Sequence, residues 1–172
     1  MWSRLALLVL VVLGLVVLGA RFWPYEPLAS NAKADRIVVT KSMRTLSLMK
    51  DGEVLKTYPI SLGGDPAGHK LQEGDKRTPE GVYKIDGRNP DSSFFRSLHI
   101  SYPNKEDSAR AAAKGVPPGG DIVIHGIRNG FGWVGRLHRL TDWTLGCIAV
   151  TDQEMIEIWT AVPDNTPIEI RR

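Results

Sequence analysis

Hydrophobic and polar positions divide the chain into two unlike parts. Near the start, Arg4 precedes sixteen uncharged, almost wholly apolar residues (5–20), closed by Arg21, Phe22 and Trp23. From Arg36 onward the pattern changes to short runs punctuated by turn residues. Strands are expected at 37–40, 45–49, 54–62, 82–85, 98–102, 121–124 and 166–171. Asp51-Gly52 between the second and third is a strong hairpin signal. Two segments carry helical punctuation instead. Asn104 stands as N-cap before Glu106 and Asp107 with Gly115 as stop, and Thr151 with Glu154 makes a capping box before Met155, Ile156, Ile158 and Trp159. The fold expected is mostly β, sandwich or barrel-like, with two short helices and a hydrophobic helix ahead of the domain.

The apolar run decides the compartment. At ~1.5 Å per residue it reaches about 24 Å, short of the ~30 Å hydrocarbon core, and Phe22 and Trp23 extend it as interfacial anchors. A signal peptidase wants small residues at alternate positions before its cut, and Ala20 meets that where Leu18 does not. Residues 1–23 are therefore expected to be an export signal, retained as an anchor in preference to being cleaved. Residues 24–35, with Pro24 and Pro27, read as a linker, and 36–172 as one domain able to bury a normal core. A net charge of +3 without any basic tract points away from nucleic acid.

Cys147 is the only cysteine, in a chain expected to leave the reducing cytoplasm. It follows a polar and glycine turn, Asp142 to Gly146, and opens an apolar segment. Upstream, the apolar stretch 122–124 ends in His125-Gly126, placing an imidazole at a sheet edge. A thiol with a distant histidine is a signature of thiol acyl transfer. Cys147 is then the nucleophile and His125 the proton donor and acceptor, with the backbone N–H groups of Gly146 and Cys147 as candidate oxyanion donors. Asp142 has three readings: orienting His125, binding an amine of the substrate, or capping its turn. His138 is the rival base, in a loop expected to be exposed beside Arg136 and Arg139. His99 and His69 have no evident partner. Trp133 and Trp143 are expected either to line the groove or to join the core. No close pair of residues has the spacing of zinc ligands, so neither a metal nor a cofactor is expected.

Three motifs in this order resemble the L,D-transpeptidase catalytic domain family, also called YkuD or ErfK/YbiS-like, over roughly residues 36–171. Gly74-Asp75-Lys76-Arg77-Thr78-Pro79-Glu80-Gly81-Val82-Tyr83 is similar to the family's early signature, Ile124-His125-Gly126 to its histidine motif, and Thr144-Leu145-Gly146-Cys147-Ile148 to its nucleophile motif. The resemblance implies a β-sandwich-like fold, a periplasm-facing location in the envelope, and peptidoglycan stem peptides as substrate. It further implies a monomer that forms a thioester from a stem tetrapeptide and passes it to an amine of a second stem peptide or of a wall-attached protein. The substrate contacts expected on this basis are Gly126, Arg128, Trp143, Thr144 and Tyr102. The sequence departs from the family pattern at Leu145, where histidine is usual, and at Ala149, where arginine commonly follows. Eighteen residues also make a long loop between His125 and Thr144. Hydrolysis of the same type of bond, or a silent wall-binding module, are the alternatives.

Overall fold

The computed structural model describes residues 2–22 and 25–172, with part of the first helix as backbone alone. A helix α1 (Trp2–Phe22) precedes the domain. Among the described residues, no helix is long and apolar enough to cross a membrane. The domain contains eight strands: β1 (Arg36–Thr40), β2 (Thr45–Lys50), β3 (Glu53–Pro59), β4 (Gly81–Asn89), β5 (Ser97–Ile100), β6 (Val123–His125), β7 (Ile148–Ala149) and β8 (Pro167–Arg171). Two α-helices, α2 (Lys105–Ala113) and α3 (Asp152–Ala161), and a 3-10 segment, Gly132–Leu140, complete it.

All eight strands lie in one sheet, in the order β3-β2-β1-β8-β4-β5-β6-β7. The sheet does not stay open. Past β3 the chain pairs with the far edge, through an antiparallel bridge of Ser61 with Ala149 and a parallel bridge of Gly63 with Thr144. Reciprocal bonds of 2.9 Å between Ser61 and Ala149 tie the two edges together. The result is a sheet curled on itself, in which the segment after β3 covers the β7 edge and one core lies inside. Alternation fills that core: Ile37 and Val39 of β1, Leu46 and Leu48 of β2, Ile168 and Ile170 of β8 are all buried.

Local signals explain most of the elements. Asp51 and Gly52 both take positive φ, as the tight β2–β3 hairpin requires. Asn104 and Asp107 form a reciprocal capping box on α2, and Thr151 and Glu154 form one on α3. The run expected as one strand over 54–62 divides at Pro59, because residues beyond it leave β2 to meet the opposite edge. The loop after His125 contains two short 3-10 turns joined at Gly135, whose φ of 52° no helix accommodates.

Residues 24–35 were read as a linker, and from Tyr25 onward that segment lies against the domain. The Leu28 N–H donates to Glu157 Oε1 at 2.8 Å, the Ala34 N–H donates to the Ala161 carbonyl at 2.8 Å, and Lys33 Nζ donates to the Thr160 carbonyl at 2.6 Å. Leu28 packs against the core and Ala34 is part of it. Tyr25 lies under the Lys56 ammonium, 4.3 Å from ring centroid to Nζ. The physical reason is Glu157 on α3. Its carboxylate accepts from Lys56 Nζ at 2.7 Å, Tyr58 Oη at 2.9 Å and the Leu28 N–H, and these donors hold its pKa below the usual range despite burial. Replacing Glu157 with Ala should release the 25–34 segment and cost about 2–3 kcal/mol. Urea denaturation would register the loss, and limited proteolysis would find new cuts in that segment.

Candidate active site

The curled sheet brings the two motif residues together. Strands β6 and β7 run parallel with Ile124 opposite Ile148 and His125 opposite Ala149. Continuing that register backward sets Cys147 level with Val123. Because side chains alternate across a strand, Cys147, Val123 and His125 share one face while Ile124 and Ile148 fill the core. Cys147 is half-buried and unpaired, and His125 is buried. The thiol is turned toward the Asp121 carbonyl, 3.6 Å away.

Thr144 shapes the turn that presents the thiol. Its hydroxyl donates to the Cys147 carbonyl at 2.7 Å and accepts the Gly146 N–H at 3.1 Å. Gly146 has φ of +132°, and a Cβ there would stand 2.7 Å from the Arg77 carbonyl, so only glycine fits. The same strand of contacts explains the early motif. The Asp75 carboxylate accepts from the Leu71, Gln72 and Arg77 N–H groups and from Lys70 Nζ, and these donors hold its pKa down against burial. Thr78 Oγ1 accepts the Gly63 N–H at 3.2 Å, and a Cβ on Gly63 would collide with the Lys76 carbonyl at 2.0 Å. Residues 75–78 are thus the wall behind the nucleophile turn.

His125 Nδ1 lies 2.6 Å from the Gly126 carbonyl. A carbonyl only accepts, so Nδ1 carries the proton and Nε2 presents its lone pair. Burial pushes the His125 pKa below its usual value, opposed by that carbonyl. Burial pushes the Cys147 thiol up; Val123's backbone and the Lys70 charge oppose it, and Asp121 adds to it. Both groups are therefore neutral at rest.

Several expected roles change. Asp142 does not reach His125: its Oδ2 accepts from Arg44 Nε and Nη2 at 3.1 and 2.8 Å, and its Oδ1 accepts the Leu62 N–H at 2.9 Å. It joins the nucleophile turn to the other sheet edge. The Gly146 N–H is consumed by Thr144, while the Cys147 N–H has no acceptor among the described residues. Tyr102 is buried against Tyr83 and donates its hydroxyl to the Pro118 carbonyl, far from a substrate surface in character. Gly126 is a packing position: its N–H donates to the Phe94 carbonyl, and a Cβ would meet Asp152 Oδ1 at 2.6 Å. Asp152 in turn accepts the Ile127 N–H at 2.8 Å, a brace on the histidine strand that no sequence motif marked. Arg128 and Trp133 are both exposed, and neither belongs to the core. His69 and His99 have carboxylate partners, Asp107 at 3.0 Å and Asp86 at 2.6 Å.

His138 was expected in an exposed loop and is buried. Trp143 Nε1 donates to its Nδ1 at 3.4 Å, and Trp143 stands edge-on to both imidazoles, 5.6 Å from His125 and 6.3 Å from His138 between ring centroids. Phe94 covers His125 at 4.8 Å. This aromatic wall keeps water from the imidazole, which is why its charged form is disfavoured. Among the described residues, no three His, Cys, Asp or Glu side chains converge as metal ligands would.

Burial, the Arg139 charge and His125 lower His138 to about 4, with Glu154 opposing. In the unfolded chain it protonates near 6.5, so between about pH 6.5 and 4 the unfolded state binds more protons and folding stability falls as pH falls. Each such histidine adds a slope approaching about 1.4 kcal/mol per pH unit within its window. Urea titrations across this range should show a shallower slope for His138→Gln than for the unmodified protein.

Residues 34–170 match the sequence pattern of the L,D-transpeptidase catalytic domain family, YkuD. YafK of Escherichia coli K12, itself named only provisionally as an L,D-transpeptidase, is 30% identical over 132 residues, covering 73% of this chain and 46% of that protein. The chain thus spans about half the length of the curated relatives it matches. Among solved structures, the helical cell shape determining protein Pgp2 of Campylobacter jejuni superposes with a TM-score of 0.58 at 23% identity, over 78% of this chain and 46% of that one. Bd1075 of Bdellovibrio bacteriovorus gives 0.54 at 25% identity over 78% and 46%. The matched span contains β1 to β7 and all but the last residue of β8, the wall at 75–78, and both Cys147 and His125, and the chain belongs to the L,D-transpeptidase catalytic domain family.

Proposed function

We propose that the chain is a peptidoglycan L,D-transpeptidase that forms a thioester on Cys147 and transfers it to an amine. The observation that carries this reading is the β6–β7 register, which puts one thiol and one imidazole with a free Nε2 on the same face. Catalysis begins when the thiol swings from the Asp121 carbonyl toward His125. Nε2 takes the thiol proton as sulfur attacks the carbonyl of the L-centre in a stem tetrapeptide. The Cys147 N–H donates to the developing oxyanion. The imidazolium then protonates the departing D-alanine amine, leaving the acyl group on sulfur. An acceptor amine attacks the thioester, gives its proton to Nε2, and the thiolate leaves and recovers that proton. Gly126 keeps Nδ1 protonated throughout, so the ring turns over between two states without a tautomer change.

The resting pair is neutral, and this shapes the working range. The apolar run at 5–20 and the aromatic pair after it support an envelope location facing the periplasm, with the chain held at the inner membrane.

Incubating the full chain with tetrapeptide muropeptides and weighing both protein and products tests the reading. The protein should gain the mass of an acyl tripeptide stem and dimers should accumulate. Cys147→Ala should abolish both, and His125→Gln should slow acylation by about 10²-fold or more. Trimmed stems without dimers would make water the acceptor, and neither adduct nor product would leave a silent wall-binding module.

A second prediction follows from the neutral pair. Because the imidazole is held below its usual 6.5 and the thiol above its usual 9.0, acylation should hold a plateau between those values. It should fall only as pH drops through the depressed imidazole value or rises through the elevated thiol value. A rate maximum confined near pH 6 would instead mean a preformed thiolate–imidazolium pair.

A further inference from the structure

The long loop between His125 and Thr144 carries a surface that the proposed chemistry leaves unused. Phe131, Trp133 and Leu140 are 49%, 73% and 81% exposed, and Leu145, beside the nucleophile, is 74% exposed. No acidic residue occurs from Gly126 to Thr141, while Arg128, Arg136 and Arg139 do. Arg139 is held by Glu154, and among the described residues neither Arg128 nor Arg136 has an ion-pair partner. Bulky apolar and aromatic side chains standing in water beside unpaired arginines are the composition of an interfacial membrane contact.

The place where the N-terminal segment joins the domain says which surface this loop meets. Tyr25 and Glu26 line a cleft of about 480 Å³ together with Lys56, Arg136, Arg139 and Glu154. The docked chain therefore begins beside the 3-10 segment. Only Pro24 separates Tyr25 from Trp23, the aromatic that ends the apolar run. Two residues of extended chain reach about 7 Å. From there Glu26, Leu28, Lys33 and Ala34 are bonded to β3 and α3, so only a short length of chain separates the docked segment from the apolar run.

The geometry points to an anionic bilayer as the partner of this loop: Phe131, Trp133 and Leu140 enter the interface, and Arg128 and Arg136 meet acidic headgroups. The inference rests on the proposed anchoring, which it extends. Held this way, the segment joining His125 to Cys147 is pinned along the membrane, and the thiol works on whatever stem peptides lie next to that surface.

The single native cysteine makes the test clean. In a Cys147→Ala background, Trp133→Cys and Leu140→Cys variants of the full chain are each given a nitroxide label, with Val82→Cys as control. Val82 is exposed near the start of β4, at the opposite end of that strand from Asn89, which pairs through Ser97 with His125, where the loop begins. The proteins are reconstituted into phosphatidylethanolamine–phosphatidylglycerol vesicles, and collision with oxygen and with a soluble nickel chelate is read by electron paramagnetic resonance. Labels at 133 and 140 should be several-fold less accessible to nickel and more accessible to oxygen than the label at 82. The nickel exclusion should weaken in phosphatidylcholine vesicles. Equal nickel access at 133, 140 and 82 in a chain that floats with the vesicles overturns the inference and leaves the anchoring standing. Labels that are immobilised by isolated peptidoglycan sacculi but unaffected by vesicles overturn it too, assigning the loop to the wall. A chain that fails to float with vesicles overturns the anchoring and the inference together.

Discussion

Everything at the site hangs on the two backbone hydrogen bonds between Ser61 and Ala149. An eight-stranded sheet that stayed open would leave β7 as an unpaired edge and would set Leu62, Gly63 and Gly64 far from the nucleophile turn. By closing, the sheet gives that turn a partner: the Thr144 N–H donates to the Leu62 carbonyl, and the Gly64 N–H donates to the Thr144 carbonyl. Asp142 then spans the seam to Arg44 and the Leu62 N–H. A two-residue strand such as β7 is too short to be stable by its ladder alone, and it is the seam on one side and β6 on the other that hold it. The closure also accounts for Ala149, which lies buried between Ser61 and His125, a place that a guanidinium would fill only by prising the edges apart.

What could be read from the sequence and what could not divide along the range of the interactions. Capping residues act within one turn, so Asn104, Thr151 and Glu154 announced their helices, and Asp51-Gly52 announced its hairpin. The pairing of Cys147 with His125 was legible because a solitary thiol and a histidine at a strand end are chemically conspicuous and because the flanking motifs resemble a family. Its geometry needed the β6–β7 register, which no residue states. Asp142 was considered for its nearness in sequence to the nucleophile, and Gly126 and Tyr102 on the strength of the resemblance, yet each is engaged elsewhere: Asp142 by Arg44, Gly126 against Asp152, and Tyr102 by the Pro118 carbonyl. His138 was misplaced for a related reason. Two neighbouring arginines suggested solvent, yet Arg139 turns to Glu154 and the imidazole between them turns inward against Trp143.

The N-terminal stretch reads as a linker from its composition, and its docking depends on partners far along the chain: Leu28 packs against the core and its N–H donates to Glu157, and the Ala34 N–H donates to the Ala161 carbonyl. Glu157 is the residue that decides the matter, since a half-buried carboxylate next to Lys56 and Tyr58 still has lone pairs to satisfy and the Leu28 N–H supplies a donor. A docked segment replaces a hinge with a fixed mount, and orientation becomes a property of the chain rather than of chance.

Gly63 and Gly146 sit back to back at the seam, each pressed against a carbonyl of residues 76–77. Neither can loosen without the other, because the same wall supports both. In amide hydrogen exchange, the segments 61–64, 76–78 and 144–149 should accordingly behave as one opening unit although 65 residues of chain lie between the last two. The nucleophile turn then has no private flexibility: its mobility is that of the seam, and a substitution anywhere along the seam would be felt as a change in how often the thiol turn breathes.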